Sequence, residues 1–215
     1  MPPQVPPAVA RTFKLLLPII ITTLSFTIVN YFIQKIAPGV LNEIIYNLIQ
    51  EPLTALSQNV STILVLTLLS NTLWVMGIHG PNTIAAIKDT MFAEAQNANI
   101  AFVGNGGSVW EAPFKVTYNA LYDWFGAYGG SGATLGLLIA IFLFSKANEH
   151  KSLAKLSLAP GLFNINETVI FGLPIVLNPI YIIPFIFTPI ICEVIGYLSI
   201  SVFKMMPAIA YQVPW

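Results

Sequence analysis

No charged residue occurs between Leu15 and Gln34, or between Asn59 and Ile78. Each run is about the length a helix needs to cross the hydrocarbon core of a bilayer, ~20 residues. The overall balance of the chain agrees with a membrane as solvent: 56% of residues are hydrophobic and 8% charged, against roughly 25% charged in soluble domains. The mean hydropathy is +0.76. The expectation is an all-α membrane protein with transmembrane helices. Arg11, Lys14 and Lys35 bracket the first run. The segment Met1–Arg11 is too rich in proline and too weakly charged for a cleavable signal, and the run after it is too long for a signal's apolar core. It reads as a connecting segment.

Two apolar stretches are broken in the same way. Ala159 to Leu177 places Asn164, Asn166 and Glu167 between apolar flanks, and Pro160, Gly161, Gly172 and Pro174 interrupt any helix there. Leu73 to Asn82 sets His79 between glycines at the end of an apolar run, with Pro81 forbidding simple continuation and Asn82 adding an amide. Paired apolar segments interrupted by Gly and Pro point to a transporter site built from discontinuous helices. Backbone broken at membrane depth is tolerated only where protein or a water-filled cavity satisfies its freed polar groups. An ionisable side chain at a helix centre costs about 2.5–3.5 kcal/mol on insertion scales, so it faces a cavity, a partner or a substrate. Glu167 is therefore the first candidate for a working residue.

The remaining chain supplies organisation more than chemistry. Asn42 to Gln58 carries apolar residues at helical spacing with Glu43, Asn47, Gln50 and Glu51 between them, which suits a helix in the membrane interface or one packed on its own protein. Lys88 to Asp123 is polar and predicts loop with short helices and little chemistry. Gly129-Gly-Ser-Gly-Ala-Thr opens a further span whose small residues permit close helix approach. It lacks the Lys-Ser or Lys-Thr and the preceding strand of a phosphate-cradling loop. Lys146, His150, Lys151 and Lys155 form the densest basic cluster, which places that loop on the cytoplasmic side. Thr168 to Phe203 reads as one re-entrant return and one spanning helix, with Glu193 either paired or near an interface. Asn166-Glu167-Thr168 matches a glycosylation sequon, but an acceptor inside an apolar hairpin is out of reach.

Composition also excludes. Nine Lys and Arg balance nine Asp and Glu, so nothing here neutralises the phosphates of a nucleic acid. The single cysteine, Cys192, excludes an internal disulfide and a cysteine-built metal site, and no cofactor is expected. A neutral solute needs its hydroxyls hydrogen-bonded within the protein, since an unpaired buried polar group costs several kcal/mol. His79, Glu167, Asn82 and Asn166 supply donors and acceptors for hydroxyls, and Trp74 supplies an aromatic face for a sugar ring. The plain alternatives are a helix-to-helix hydrogen bond for His79, a helix N-terminal cap for Glu167 and an interfacial or packing role for Trp74. At the level of the whole chain, an ion-coupled transporter of a neutral solute would share the broken helices. An intramembrane enzyme has only His79, His150 and Glu167 to draw on, and a purely structural scaffold leaves the two polar tips unexplained.

Trp74-Val-Met-Gly-Ile-His-Gly-Pro-Asn82, Gly129-Gly-Ser-Gly-Ala-Thr-Leu135 and Phe163-Asn-Ile-Asn-Glu-Thr-Val-Ile-Phe-Gly-Leu-Pro-Ile-Val-Leu-Asn-Pro179 together resemble the membrane permease, enzyme II C, of the lactose/cellobiose family of the bacterial sugar phosphotransferase system. Pro6 to Arg11 and Val213-Pro-Trp215 resemble it as well. The departure in the central motif is Thr168, where members often carry proline. The resemblance implies a multi-pass protein of the bacterial cell membrane in which two re-entrant helical hairpins, with tips about 74–83 and 160–174, form a transport domain embedded in lipid. It implies a disaccharide of the cellobiose, lactose or chitobiose class held between them, phosphorylated by a phosphocysteine on the soluble B component. His79 and Glu167 would then hold the hydroxyl that receives the phosphoryl group, with Trp74, Asn82, Asn166 and Trp215 lining the sugar. Members are roughly twice this length, form homodimers through an N-terminal group of helices and continue past the position of Trp215. Residues 1–215 are therefore expected to be a partial permease domain, the transport portion.

Overall fold

The structure, a computed structural model, describes residues 7–36, 38–40, 43, 47, 51, 56–208 and 211, with side chains described from residue 16 onward. Trp215 and most of the expected interface helix Asn42–Gln58 lie outside the described residues. Every regular element among the described residues is helical. The chain divides into two compact units, Met1–Glu51 and Pro52–Trp215.

The first unit contains α1, Pro7–Ile36. Its part from Leu16 to Ile36 is apolar and long enough to cross a membrane, and none of its described side chains is buried. Ser25 and Thr27 donate their hydroxyls to the carbonyls of Ile21 and Thr23 one turn back, each at 2.8 Å. Hydroxyls satisfied within their own helix do not have to be satisfied by lipid.

The second unit opens with α2, Val60–Val75, and α3, Gly80–Gly104. After a short 3-10 turn, Val109–Glu111, comes a π-helix, Asn119–Gly126, then α4, Thr134–Phe144, and α5, Asn148–Leu162. The unit closes with the short α6, Glu167–Gly172, and with α7, Pro179–Tyr197, whose last turn continues in π geometry to Val202. Pro179–Val202 is the second segment long and apolar enough to cross a membrane. The other two apolar runs make shorter helices than expected. At ~1.5 Å per residue, the 16 residues of α2 and the 11 of α4 fall short of a hydrocarbon core about 30 Å thick. The reasons are local: Gly77 turns the chain at the end of α2, and left-handed residues at Gly129, Gly130, Gly132 and Ala133 delay the start of α4.

The interval from Lys88 differs from the loop expected for it. It continues α3 as a helix to Gly104, because Ile84, Met91, Phe92, Ala95 and Asn99 recur at helical spacing and are buried. Asn99 is fully buried, and its side chain exchanges two hydrogen bonds with the backbone of Phe114, at 2.8 and 3.0 Å. Those bonds tie the end of α3 to the approach of the π-helix.

Two apolar clusters hold the unit together. One joins α2, α3 and the π-helix through Ile63, Ile84, Phe92, Tyr118 and Leu121. The other joins the end of α2 to α4, α5, α6 and α7 through Trp74, Leu138, Ala154, Ile170 and Phe185. Glu193 of α7 is fully buried, and Thr67 of α2 donates its hydroxyl to it at 2.6 Å. The sequence left this carboxylate either paired or interfacial; the structure pairs it across two helices.

Candidate functional site

The end of α2 and the end of α5 solve the same problem in the same way. A helix terminus leaves carbonyls without partners, and a left-handed residue just past the end lets following amides turn back to them. After α2, Gly77 has φ +83°, its amide donates to Trp74 and the Ile78 amide donates to Leu73, both at 2.9 Å. After α5, Asn164 has φ +60°, its amide donates to Gly161 at 3.1 Å and the Ile165 amide donates to Pro160 at 3.0 Å. Each turn feeds a new helix almost at once. His79 caps α3, its ring nitrogen Nδ1 accepting the Asn82 amide at 3.2 Å. Glu167 is the first residue of α6, where the helix dipole favours a carboxylate.

Hydrogen bonds hold the second tip both to the first and to the turn that precedes α4. The Leu177 amide, on the return from α6, donates to the carbonyl of Val75 at 2.9 Å. Asn164 accepts the amides of Gly129 and Gly130 on its side-chain oxygen, at 2.9 and 3.2 Å. Asn166 donates through its amide nitrogen to the Ser131 carbonyl at 2.6 Å and to the Thr134 hydroxyl at 2.9 Å. Gly130 has to be glycine: its φ is +90°, and a Cβ there would lie 2.6 Å from Asn166 Cγ and 2.7 Å from the Asn164 carbonyl oxygen.

Between the tips lies a cavity of about 280 Å³. His79 and Glu167 both line it, with Nε2 and Oε1 3.9 Å apart. Both side chains remain partly open, at 40% and 47% exposure. Because Nδ1 accepts a backbone amide, the neutral ring carries its proton on Nε2, the atom facing the carboxylate. The separation is too long for a direct hydrogen bond. A hydroxyl oxygen placed about 2.8 Å from each atom sees them at roughly a right angle, and there it accepts from Nε2–H and donates to Oε1. Glu167 Oε2 has no partner among the described residues, so the carboxylate is not consumed by the fold.

The other expected site residues divide. Trp74 lines the cavity but is 4% exposed, and its ring lies 4.6 Å from that of His79 and 6.3 Å from Phe171. It backs the imidazole. Asn166 lines the cavity with its amide nitrogen already committed to Ser131 and Thr134. Asn82 is exposed, and its backbone amide rather than its side chain reaches the site by orienting His79. Trp215 lies outside the described residues.

The cavity also receives Tyr122 and Asp123, from a region where little chemistry was expected, and Ser131, from the run read as a surface for close helix approach. The signal available was a carboxylate among aromatic residues, Leu121-Tyr-Asp-Trp-Phe125, just before the Gly129-Gly-Ser-Gly run. Among the described residues no group of three or more His, Cys, Asp or Glu gathers in a way that suits a metal ion.

A family model described as "Phosphotransferase system, EIIC" matches residues 1–189. The cellobiose-specific EIIC component of Lactococcus lactis subsp. lactis (strain IL1403) is 36% identical, an alignment that takes in 100% of this chain and 47% of that protein. The oligo-beta-mannoside-specific EIIC component of Bacillus subtilis (strain 168) is 34% identical, over 100% of this chain and 48% of that protein. Among solved structures, the transporter ChbC, the IIC component of the N,N'-diacetylchitobiose-specific phosphotransferase system, superposes with a TM-score of 0.76 at 32% identity, covering 99% of this chain and 48% of that one. The chain spans about half the length of the curated relatives it matches. With the family model covering most of its residues, this all-helical chain belongs to the phosphotransferase system EIIC family.

Proposed function

We propose that residues 1–215 form the transport portion of a sugar permease of the phosphotransferase system. In this reading the chain crosses the bacterial cell membrane several times, and the turns at 74–83 and 160–174 are the tips of two re-entrant hairpins. Apolar helices of 16 and 11 residues, the first ended by a left-handed turn and the second begun after one, are what discontinuous membrane helices look like, and such helices place polar groups at membrane depth around a substrate. The substrate is a disaccharide of the cellobiose, lactose or chitobiose class. Its phosphoryl donor is the phosphorylated B component, and homodimerisation belongs to helices outside this portion.

The observation that carries the reading is the 3.9 Å gap between His79 Nε2 and Glu167 Oε1 across a shared cavity. The sugar hydroxyl sits in that gap, donating to Glu167 and accepting from His79. As the B component's phosphocysteine approaches, Glu167 takes the hydroxyl proton, the oxygen attacks phosphorus, and the cysteine sulfur leaves as thiolate. Positioned proton acceptors of this kind contribute about 10²- to 10⁴-fold to rate. Trp74 holds the imidazole plane from behind, and Asn166 holds the wall.

The test is calorimetric titration of cellobiose, lactose and chitobiose into the purified chain, followed by phosphorylation with the phosphorylated B component. One of the three binds, and Glu167→Gln retains helical content while phosphorylation falls by at least 100-fold. Wild-type phosphorylation in Glu167→Gln removes the role. Uptake that follows a proton or sodium gradient without the B component favours an ion-coupled carrier instead.

A further inference from the structure

The segment Pro179–Val202 has 24 residues, about 36 Å of helix at ~1.5 Å per residue, and a hydrocarbon core is about 30 Å thick. As a membrane span, it brings its last turn to the level of the lipid headgroups. A hollow of about 140 Å³ lies at that end. Hydrogen bonds build its walls. Beyond Val202 the backbone reverses at Lys204, where φ is +50°, and the amides of Met205 and Met206 return to the Ser199 carbonyl at 2.8 and 3.3 Å. The Ala208 amide then donates to the carbonyl of Val109 at 3.2 Å, which ties this return to the 3-10 turn Val109–Glu111.

Two lysines line the hollow, Lys115 and Lys204, and no carboxylate does. Lys115 Nζ donates to the Trp110 carbonyl at 2.6 Å, which fixes the ammonium and leaves two of its three N–H groups for another acceptor. Neither lysine forms an ion pair with a described residue. Ser201 adds a hydroxyl whose oxygen has no hydrogen-bond partner among the described residues. Like charges that line one hollow without a counter-charge repel each other, and an anion between them removes that cost. Size and lining say which kind of anion. Pockets for whole small organic ligands occupy about 300–1,000 Å³, so this smaller one suits a single charged group with the rest of its molecule outside. The rest of the lining is largely apolar, with Trp110, Ile200 and Met206, and the neighbouring Phe203 and Met205 are exposed. An indole at headgroup level is common in membrane proteins, and basic pockets between membrane helices take the phosphates of lipid headgroups.

We propose that the hollow lined by Lys115, Lys204 and Ser201 binds the phosphate of an anionic phospholipid headgroup, with the apolar body of the lipid lying over Trp110 and Met206. The same cations suit a free phosphate, and the apolar rim is what favours the lipid. The site rests on the reading of Pro179–Val202 as a membrane span and is independent of the sugar chemistry.

The experiment is native mass spectrometry of the full chain, released from detergent after exposure to equal amounts of phosphatidylglycerol and phosphatidylcholine with the same acyl chains. Wild type retains the anionic lipid in preference, one molecule per chain. Lys115→Gln and Lys204→Gln each lower that preference about fivefold, the share of one lysine near an anionic headgroup, and the double variant abolishes it. Circular dichroism checks the fold; if Lys115→Gln loses helix, Lys204→Gln carries the test, since the Lys204 side chain makes no hydrogen bond with a described residue. Lys146→Gln combined with Lys151→Gln removes the same charge from the basic cluster and leaves the lipid bound. Equal retention of the two lipids by wild type overturns the site. So does an equal loss in the two double variants, because that marks attraction to net charge alone. Inorganic phosphate in excess leaves the lipid in place; displacement by phosphate assigns the hollow to a free anion and overturns the lipid. A chain that does not insert into vesicles of either lipid brings down the membrane span and the site with it. A chain that inserts but shows no preference keeps the span and loses only the site.

Discussion

The two tips that meet at the candidate site share a backbone solution and differ in what they do with it. Gly77 and Asn164 each take the left-handed position after a helix, and in each case its own amide and the next one return to carbonyls of that helix's last turn. At the first tip the left-handed residue contributes only its conformation, and His79 does double duty, capping the 25-residue α3 through Nδ1 and facing the cavity with Nε2. At the second tip Asn164 itself reaches out to Gly129 and Gly130, Asn166 reaches to Ser131 and Thr134, and Glu167 stays free of the fold. Structural and chemical work fall on one side chain in the first case and on three in the second. Substitutions at the first tip are therefore expected to change stability and function together, and those at the second to separate them.

The largest effect tests that contrast directly. Glu167→Gln is expected to lower sugar phosphorylation by about 10²- to 10⁴-fold with little change in thermal stability. His79→Ala loses both the chemistry and the cap, a cap being worth about 0.5–2 kcal/mol. His79→Asn restores a capping side chain without a group that reaches Glu167, so its melting temperature recovers while activity stays lost. Equal melting temperatures for His79→Ala and His79→Asn would break the comparison, because Nδ1 would then not be supporting α3.

Packing behind the tips gives the next effect. A Cβ at Gly80 would lie 1.9 Å from the backbone carbonyl oxygen of Ser70, and backbone cannot step aside as a flexible side chain can. Gly80→Ala is expected to push the start of α3 off α2, at a cost of about 1–3 kcal/mol as for other overpacked sites, and to weaken sugar binding by moving His79. Thermal unfolding and titration on the same sample measure both. A variant that loses neither shows that the close approach of the helices does not position the imidazole.

These two tips were the legible part of the molecule. Gly and Pro around His79 and Glu167 interrupt apolar runs that otherwise have no reason to stop, and that contradiction is local enough to read from sequence. The length of α3 was hidden because Lys88, Asp89, Glu94 and Gln96 make the segment look like loop, although its buried residues keep helical spacing. Asp123 was hidden for another reason. It enters the cavity only because the π-helix packs against α7, a long-range arrangement that no local spacing encodes. The Gly129 run read as a packing surface for a helix. Its glycines act earlier, as a left-handed turn pressed against Asn164 and Asn166.

The second tip sharpens the comparison at smaller amplitude. Asn164→Gly keeps a residue that adopts φ +60° easily but deletes the acceptor for two amides; Asn164→Ala deletes the acceptor and resists the conformation as well. A left-handed non-glycine residue costs roughly 1–2 kcal/mol, Asn being among the few tolerated, so Asn164→Ala is expected to unfold at a lower temperature than Asn164→Gly. If the order reverses, the hydrogen bonds to Gly129 and Gly130 and the φ requirement are not the terms that matter there.

The smallest effect comes from giving the first tip the residue of the second. At Gly77 a Cβ would meet only Val176 Cγ1, at 3.5 Å, which is ordinary contact. The φ of +83° is still restrictive, but asparagine adopts left-handed geometry more readily than other residues with a side chain. Gly77→Asn is therefore expected to cost under about 1 kcal/mol and to leave sugar affinity within about twofold, whereas Gly77→Val, β-branched at positive φ, costs several times more. The pair isolates conformation from contact, since both variants fill the same space and only one tolerates the backbone. Equal losses for the two would mean that Val176, not the left-handed turn, limits what residue 77 can be, and the likeness between the tips would then end at their hydrogen bonds.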